Sequence, residues 1–346
     1  MSQHPMQRTR NPAQYSLVVR VVTFLLISLS FVVYSDITFP STEVYMYRTL
    51  LSGKPFFMYA DATWEFYDPL KIEGRLQLLT GTPQNIALLF TQIPTALSVY
   101  LIQAALVFAV CMTLTLIFKE LGFDNKYAFY SILVLVCSRA LVYSFYHPVL
   151  AETLLIVFLA TTILFYLRYV TRPTRANLVL LIVSTLLVCV AKISAVFILA
   201  VFGTAILFSD LIAGQRVRHR LLAHCIFILI PMAWVVFSKL VAANPGDPMV
   251  WKRMYLELTW ITDAVVFLFV IPLGTVMPVL GLLRRDNYDF RTQICACLCF
   301  TATVYALLLI LFGKHGDYYL APVYFLAVFI APVAIRELSR LRLLGA

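Results

Sequence analysis

Charge is what this 346-residue sequence lacks most: Asp, Glu, Lys and Arg make up 13% of it, about half of what a soluble domain carries. That scarcity excludes an ordinary water-soluble globule. There are only 12 glycines, with no Gly/Ser-rich linker and no internal repeat. The seven cysteines do not form the framework of a small secreted domain. Cys111, Cys137, Cys189 and Cys225 fall inside apolar runs, and Cys295, Cys297 and Cys299 are spaced onto different faces of a helix, so they read as small apolar filler. No GxSxG, P-loop, dinucleotide-binding glycine pattern or HExxH is present. Serine-hydrolase and nucleotide-driven chemistry therefore have no motif to rest on. The first apolar run is followed by no small-residue cleavage site and is expected to stay as an anchor.

What the sequence does have is long apolar runs: 62% of residues are hydrophobic and the mean hydropathy is +0.88. A membrane-spanning helix needs about 20 such residues. The pattern predicts an all-α polytopic transmembrane bundle forming a single integral-membrane domain over residues 1–346. Spans are expected near residues 15–35, 96–118, 127–146, 149–169, 221–241, 263–283, 292–312 and 319–335. A straight helix through residues 177–210 would be about 50 Å long, too long for one crossing. Basic clusters flank it on both sides, Arg172 and Arg175 before and Arg216, Arg218 and Arg220 after. Loops rich in Lys and Arg stay on the cytoplasmic side, so this run is expected to be two short arms turning near Lys192. That makes ten spans, with both termini cytoplasmic. The net charge of +10 lies in these short loops rather than on one face, which excludes a nucleic-acid partner.

With this topology the unusual polar residues gather on the extracytoplasmic side. Residues 36–85 form the longest loop, with Asp36, Glu43 and interfacial helices. Asp61, Glu65 and Asp68 follow at helical spacing among aromatics. His147 lies at a turn, and Lys314, His315, Asp317 and Tyr318 lie in the last outer loop. Arg139, Glu152 and Lys192 lie in or beside spans, where ionisable groups are costly and default to functional candidates. Arg139 and Glu152 could instead form an ion pair locking two helices, and Lys192 could snorkel to the interface. His147 and His315 show no ligand spacing for a metal. A carboxylate on a loop can deprotonate an acceptor, and Lys or Arg can hold a phosphate and stabilise its charge as it departs.

Three places in the chain resemble the GT-C class of membrane glycosyltransferases, which use polyprenyl-phosphate-linked sugars. The first is Asp36 followed by the helical run from Thr42-Glu43-Val44-Tyr45 to Leu50-Leu51-Ser52-Gly53. The second is Tyr146-His147-Pro148 with Ala151-Glu152-Thr153, then a helix pair broken at Ala191-Lys192-Ile193-Ser194. The third is Gly316-Asp317-Tyr318-Tyr319-Leu320-Ala321-Pro322. The class has paired acids in its first loop; here Thr42 precedes Glu43, so the base role stays open between Asp36 and Glu43. Lys314 or His315 stands where the class has a late-loop arginine, and the soluble C-terminal domain of the class is expected to be missing.

The resemblance implies transfer of a sugar from a lipid-linked donor to a glycan, lipid or protein acceptor on the outer face. It also implies a divalent metal ion in some branches, without naming metal ligands here. In this reading Asp36 or Glu43 is catalytic, and Lys192, Arg139, Lys314, His315, His147, Asp317 and Tyr318 bind substrate or phosphate. The compact size suggests a bacterial inner membrane. Two other readings use the same groups: a transporter or flippase for a lipid-linked glycan, and a non-catalytic membrane subunit on the same scaffold.

Overall fold

The computed structural model describes residues 12–33, 96–146, 152–192, 194–212, 218–241, 269–276, 290–311, 317–330 and 334. These residues are helical and contain no strand. The helices are α1 (Pro12–Val33), α2 (Ala96–Glu120), α3 (Asn125–Val136), α4 (Arg139–Tyr146), α5 (Glu152–Thr171), α6 (Arg175–Ala191), α7 (Ala195–Ile212), α8 (Arg218–Val241), α9 (Phe290–Leu311) and α10 (Ala321–Ala327). A 3-10 turn, Asp317–Leu320, leads into α10. Among the described residues, five helices are long and apolar enough to cross a membrane, or six if α3 and α4 form one span bent by 64°. The protein is an integral-membrane helical bundle. Both termini and much of the expected span at 263–283 lie outside the described residues.

Local chemistry sets the helix ends. Asp124 caps α3 by accepting the Lys126 N–H at 3.0 Å, and the Thr174 hydroxyl caps α6 by accepting the Asn177 N–H at 3.2 Å, each satisfying a first-turn donor. At the end of α2, Gly122 takes φ +72°. Its N–H donates to the Lys119 carbonyl and the Phe123 N–H to the Phe118 carbonyl, the paired bonds of a Schellman stop. A side chain at Gly122 would also collide with Arg291 Nη1, 2.2 Å from an ideal Cβ. Many hydroxyls inside the spans donate to carbonyls one turn back, as Thr115 does to Cys111 and Thr185 to Leu181. No water is needed to satisfy them.

The chain alternates between the two ends of the bundle. Glu120, closing α2, meets Arg168 and Arg172, closing α5, so these two helices pack in parallel. The Asn177 side chain, at the start of α6, donates to the Arg172 carbonyl at 2.9 Å and marks the same end. Asp210, closing α7, meets Arg220 in the first turn of α8. His219, next to Arg220, lies 3.2 Å from the Val170 carbonyl near the end of α5, so residues 177 and 210 share one end and the chain reverses between them at Lys192, as expected from the charges. The arms lean on different partners, however: α6 chiefly on α5, and α7 on α8 and α9. The lipid-facing side of α8 is apolar, with Leu229, Met232, Val236 and Leu240 exposed.

Candidate functional site

The break between α6 and α7 is where the site begins. Lys192 leaves the helix with extended backbone, φ −158° and ψ 126°. Its N–H still reaches the Val188 carbonyl at 3.3 Å, and its own carbonyl accepts the Ala195 N–H at 3.0 Å. The turn is thus closed by backbone bonds, while the lysine side chain points into protein. Lys192 is only 9% exposed. Its ammonium pairs with Glu152 and sits 4.5 Å from the centre of the Tyr319 ring. An ammonium over an aromatic face gains attraction from the ring quadrupole, more so when water is excluded.

Glu152 is 2% exposed and opens α5, where unmet first-turn N–H groups and the helix dipole favour negative charge. Next to it the Thr153 hydroxyl donates to the Ser144 carbonyl at 3.0 Å, tying the end of α4 to the start of α5. Below the break the Tyr305 hydroxyl on α9 donates to Ser194 at 3.2 Å. One end of the bundle thus brings together a carboxylate, an ammonium, two tyrosines and a serine from α5, the α6–α7 break, α9 and the 3-10 turn. A buried ion pair gains little net stability, because desolvating two charges offsets most of their attraction.

A second polar cluster closes the opposite end. Asp210 accepts from Gln293 Nε2 at 2.9 Å and has Arg220 Nη1 at 3.8 Å. His224 Nε2 lies 3.8 Å from Asp210 and 3.1 Å from the Tyr166 hydroxyl. Arg220 is stacked 3.7 Å over Phe290. Side chains from α5, α7, α8 and α9 converge here. Asp210 and Lys192 sit near opposite ends of α7, about 27 Å apart along its axis.

Of the residues expected from the sequence, Lys192 is central. The partner of Glu152 is Lys192 rather than Arg139. Arg139 is exposed and opens α4 at the bend, about two turns from the helix end that meets Thr153. Asp36, Glu43, His147, Lys314 and His315 lie outside the described residues. Asp317 and Tyr318 belong to the 3-10 turn that delivers Tyr319, and their side chains are likewise outside the described set. No group of three or more His, Cys, Asp or Glu suited to a metal ion occurs among the described residues.

Sequence reasoning missed Tyr305, Tyr319 and the whole Asp210 cluster. The aromatics carry no signal in a chain with 19 tyrosines. Asp210 and His224 did carry one, since each is an ionisable residue within an apolar run. Asp210 was overlooked because it sits beside a basic loop that marks a span boundary. No known family model, curated protein or solved structure matches the chain.

Proposed function

We propose that this protein is an integral-membrane glycosyltransferase that moves a sugar from a polyprenyl-phosphate donor to an acceptor on the extracytoplasmic face. The observation that carries the reading is the Lys192 ammonium, buried at a break in a membrane helix and held by Glu152 and Tyr319. A donor phosphate takes over from Glu152 as the counter-ion of Lys192. Asp36 or Glu43 removes the acceptor's proton, and the acceptor oxygen or nitrogen attacks the anomeric carbon. The bond from that carbon to the phosphate oxygen breaks, its electron pair stays on the phosphate, and Lys192 stabilises the added charge. A single displacement of this kind inverts the anomeric centre. The phosphate is a good leaving group, so no general acid is required.

The test is transfer from a polyprenyl-phosphate sugar by purified protein in proteoliposomes. Lys192→Met is expected to lower kcat/KM by about 100-fold or more, the scale of losing one aimed charge at a reacting centre. Either Asp36→Asn or Glu43→Gln is expected to show a comparable loss in kcat. Wild-type transfer rates in Lys192→Met would refute the assignment.

A second reading, transport of a lipid-linked glycan, is favoured by the Asp210 cluster, which places ionisable groups at both ends of one spanning helix. Movement of the glycan across liposomes by wild-type protein, with no sugar transferred, would select it.

A further inference from the structure

Gln103 is fully buried, and neither its side-chain oxygen nor its nitrogen has a hydrogen-bond partner in the protein. It lies on α2, a helix otherwise apolar on that face, with Tyr100 and Val107 buried one turn to either side. An amide shut away from water with nothing bonded to it is costly and rare in native proteins. Threonines on the bundle's spans are mostly satisfied locally, as Thr115 on the same helix is by the Cys111 carbonyl, whereas Gln103 has both ends of its amide unbonded. A glutamine cannot fold back on its own helix in that way as readily as a threonine.

Its depth can be compared with that of the Glu152–Lys192 pair. The parallel helices α2 and α5 are in register at their far ends, where Glu120 meets Arg168 at 3.7 Å and Arg172 at 3.5 Å. Gln103 precedes Glu120 by nearly the same stretch of chain as Glu152 precedes Arg168. With the same rise per residue in both helices, Gln103 lies at the level of Glu152 to within a turn. An unbonded amide and a buried ion pair thus stand at one depth, on and beside two helices packed against each other.

We infer that Gln103 binds the sugar of the lipid-linked donor, through its hydroxyls, while Lys192 holds the phosphate. This rests on the transferase reading and extends it to the part of the donor that sets specificity. The chemistry favours a hydroxylated group over a second anion. A carboxamide offers two N–H donors and a carbonyl acceptor; a phosphate uses only the donors, whereas a sugar hydroxyl both accepts and donates. A site that bonds a hydroxyl rejects a ligand lacking it, because the buried amide is then left unpaired.

The experiment compares wild type, Gln103→Met and Lys192→Met by thermal unfolding in nanodiscs, each with bare polyprenyl phosphate or with polyprenyl-phosphate hexose. Wild type is expected to be stabilised by both, and more by the hexose form. Gln103→Met keeps the response to bare phosphate and loses the extra response to the hexose; Lys192→Met loses both. In turnover, Gln103→Met is expected to raise KM for the donor about tenfold, the scale of one lost hydrogen bond, with kcat little changed. Without ligand, Gln103→Met unfolds no earlier than wild type, because methionine fills the space and removes an unbonded amide. An earlier unfolding would mean that the amide is bonded within the protein, and would overturn the inference. An undiminished preference for the hexose form in Gln103→Met would also overturn it while leaving the role of Lys192 standing. Wild type indifferent to both lipids would bring down the donor reading and this inference together.

Discussion

Two residues, Glu152 and Lys192, determine how the site behaves before any ligand arrives. Each is buried, at 2% and 9% exposure, and each supplies the other with an opposite charge. Removing one partner from a buried pair strands the other and costs about 3–5 kcal/mol, whereas replacing both with apolar groups of similar size is close to neutral. Glu152→Leu and Lys192→Met are each expected to lower the unfolding midpoint sharply, and the double variant Glu152→Leu/Lys192→Met to recover most of the loss. Equal, additive losses in a double-mutant cycle would mean that the two charges are not coupled. The double variant is expected to remain inactive in transfer. That outcome separates the lysine's chemical role from its structural one.

At the scale of elements, the fold depends on close approach at a few places. Gly203 on α7 faces α8 so closely that an added Cβ would lie 2.7 Å from Phe227 Cβ. That atom is anchored to backbone and cannot swing aside, so Gly203→Ala forces the helices apart. The expected cost is about 1–3 kcal/mol, read as a lowered unfolding midpoint with the Lys192 site still able to bind phosphate. Gly274 is tighter still against α9, with Thr303 Oγ1 at 2.1 Å and the Cys299 carbonyl oxygen at 2.6 Å from an ideal Cβ. The sequence made the break at Lys192 legible, because a run of that length between two basic loops has to turn back. It did not reveal the partner of Glu152. Arg139 and Lys192 are both cations beside spans, and choosing between them requires knowing that α4 begins at a bend and that α6 packs along α5. Hydrophobic periodicity does not carry such pairings, since nearly every face of these helices is apolar.

For the molecule as a whole, the Asp210 cluster acts as a clasp at one end of the bundle, while the Lys192 site occupies the other. Asp210→Ala removes a partner of both Gln293 and Arg220. It is expected to cost about 2–3 kcal/mol of stability, the scale of losing hydrogen bonds to a charged group, with KM for the donor unchanged. A raised KM would show that the two ends are coupled. The proposed orientation places Arg175 inside and Lys314 outside. In a Cys137→Ser background, an impermeant maleimide should label Lys314→Cys in intact cells and Arg175→Cys only after permeabilisation; the reverse pattern would invert the protein.

The all-helical membrane architecture was legible from apolar run length and scarce charge alone, because a bilayer leaves a chain of this composition few alternatives. The helical spacings within residues 36–85 were legible, but a local period does not fix where Asp36 and Glu43 stand relative to Lys192.

The central claim is that the Lys192 ammonium leaves Glu152 to hold a donor phosphate. Solid-state NMR of protein carrying 15N-labelled lysine and bound to polyprenyl phosphate tests it most directly, by dephasing of the lysine Nζ signal through the neighbouring 31P nucleus. The account predicts dephasing in the wild-type protein and none in Lys192→Met. Dephasing that persists in Lys192→Met, or is absent from wild type carrying bound lipid, would contradict it.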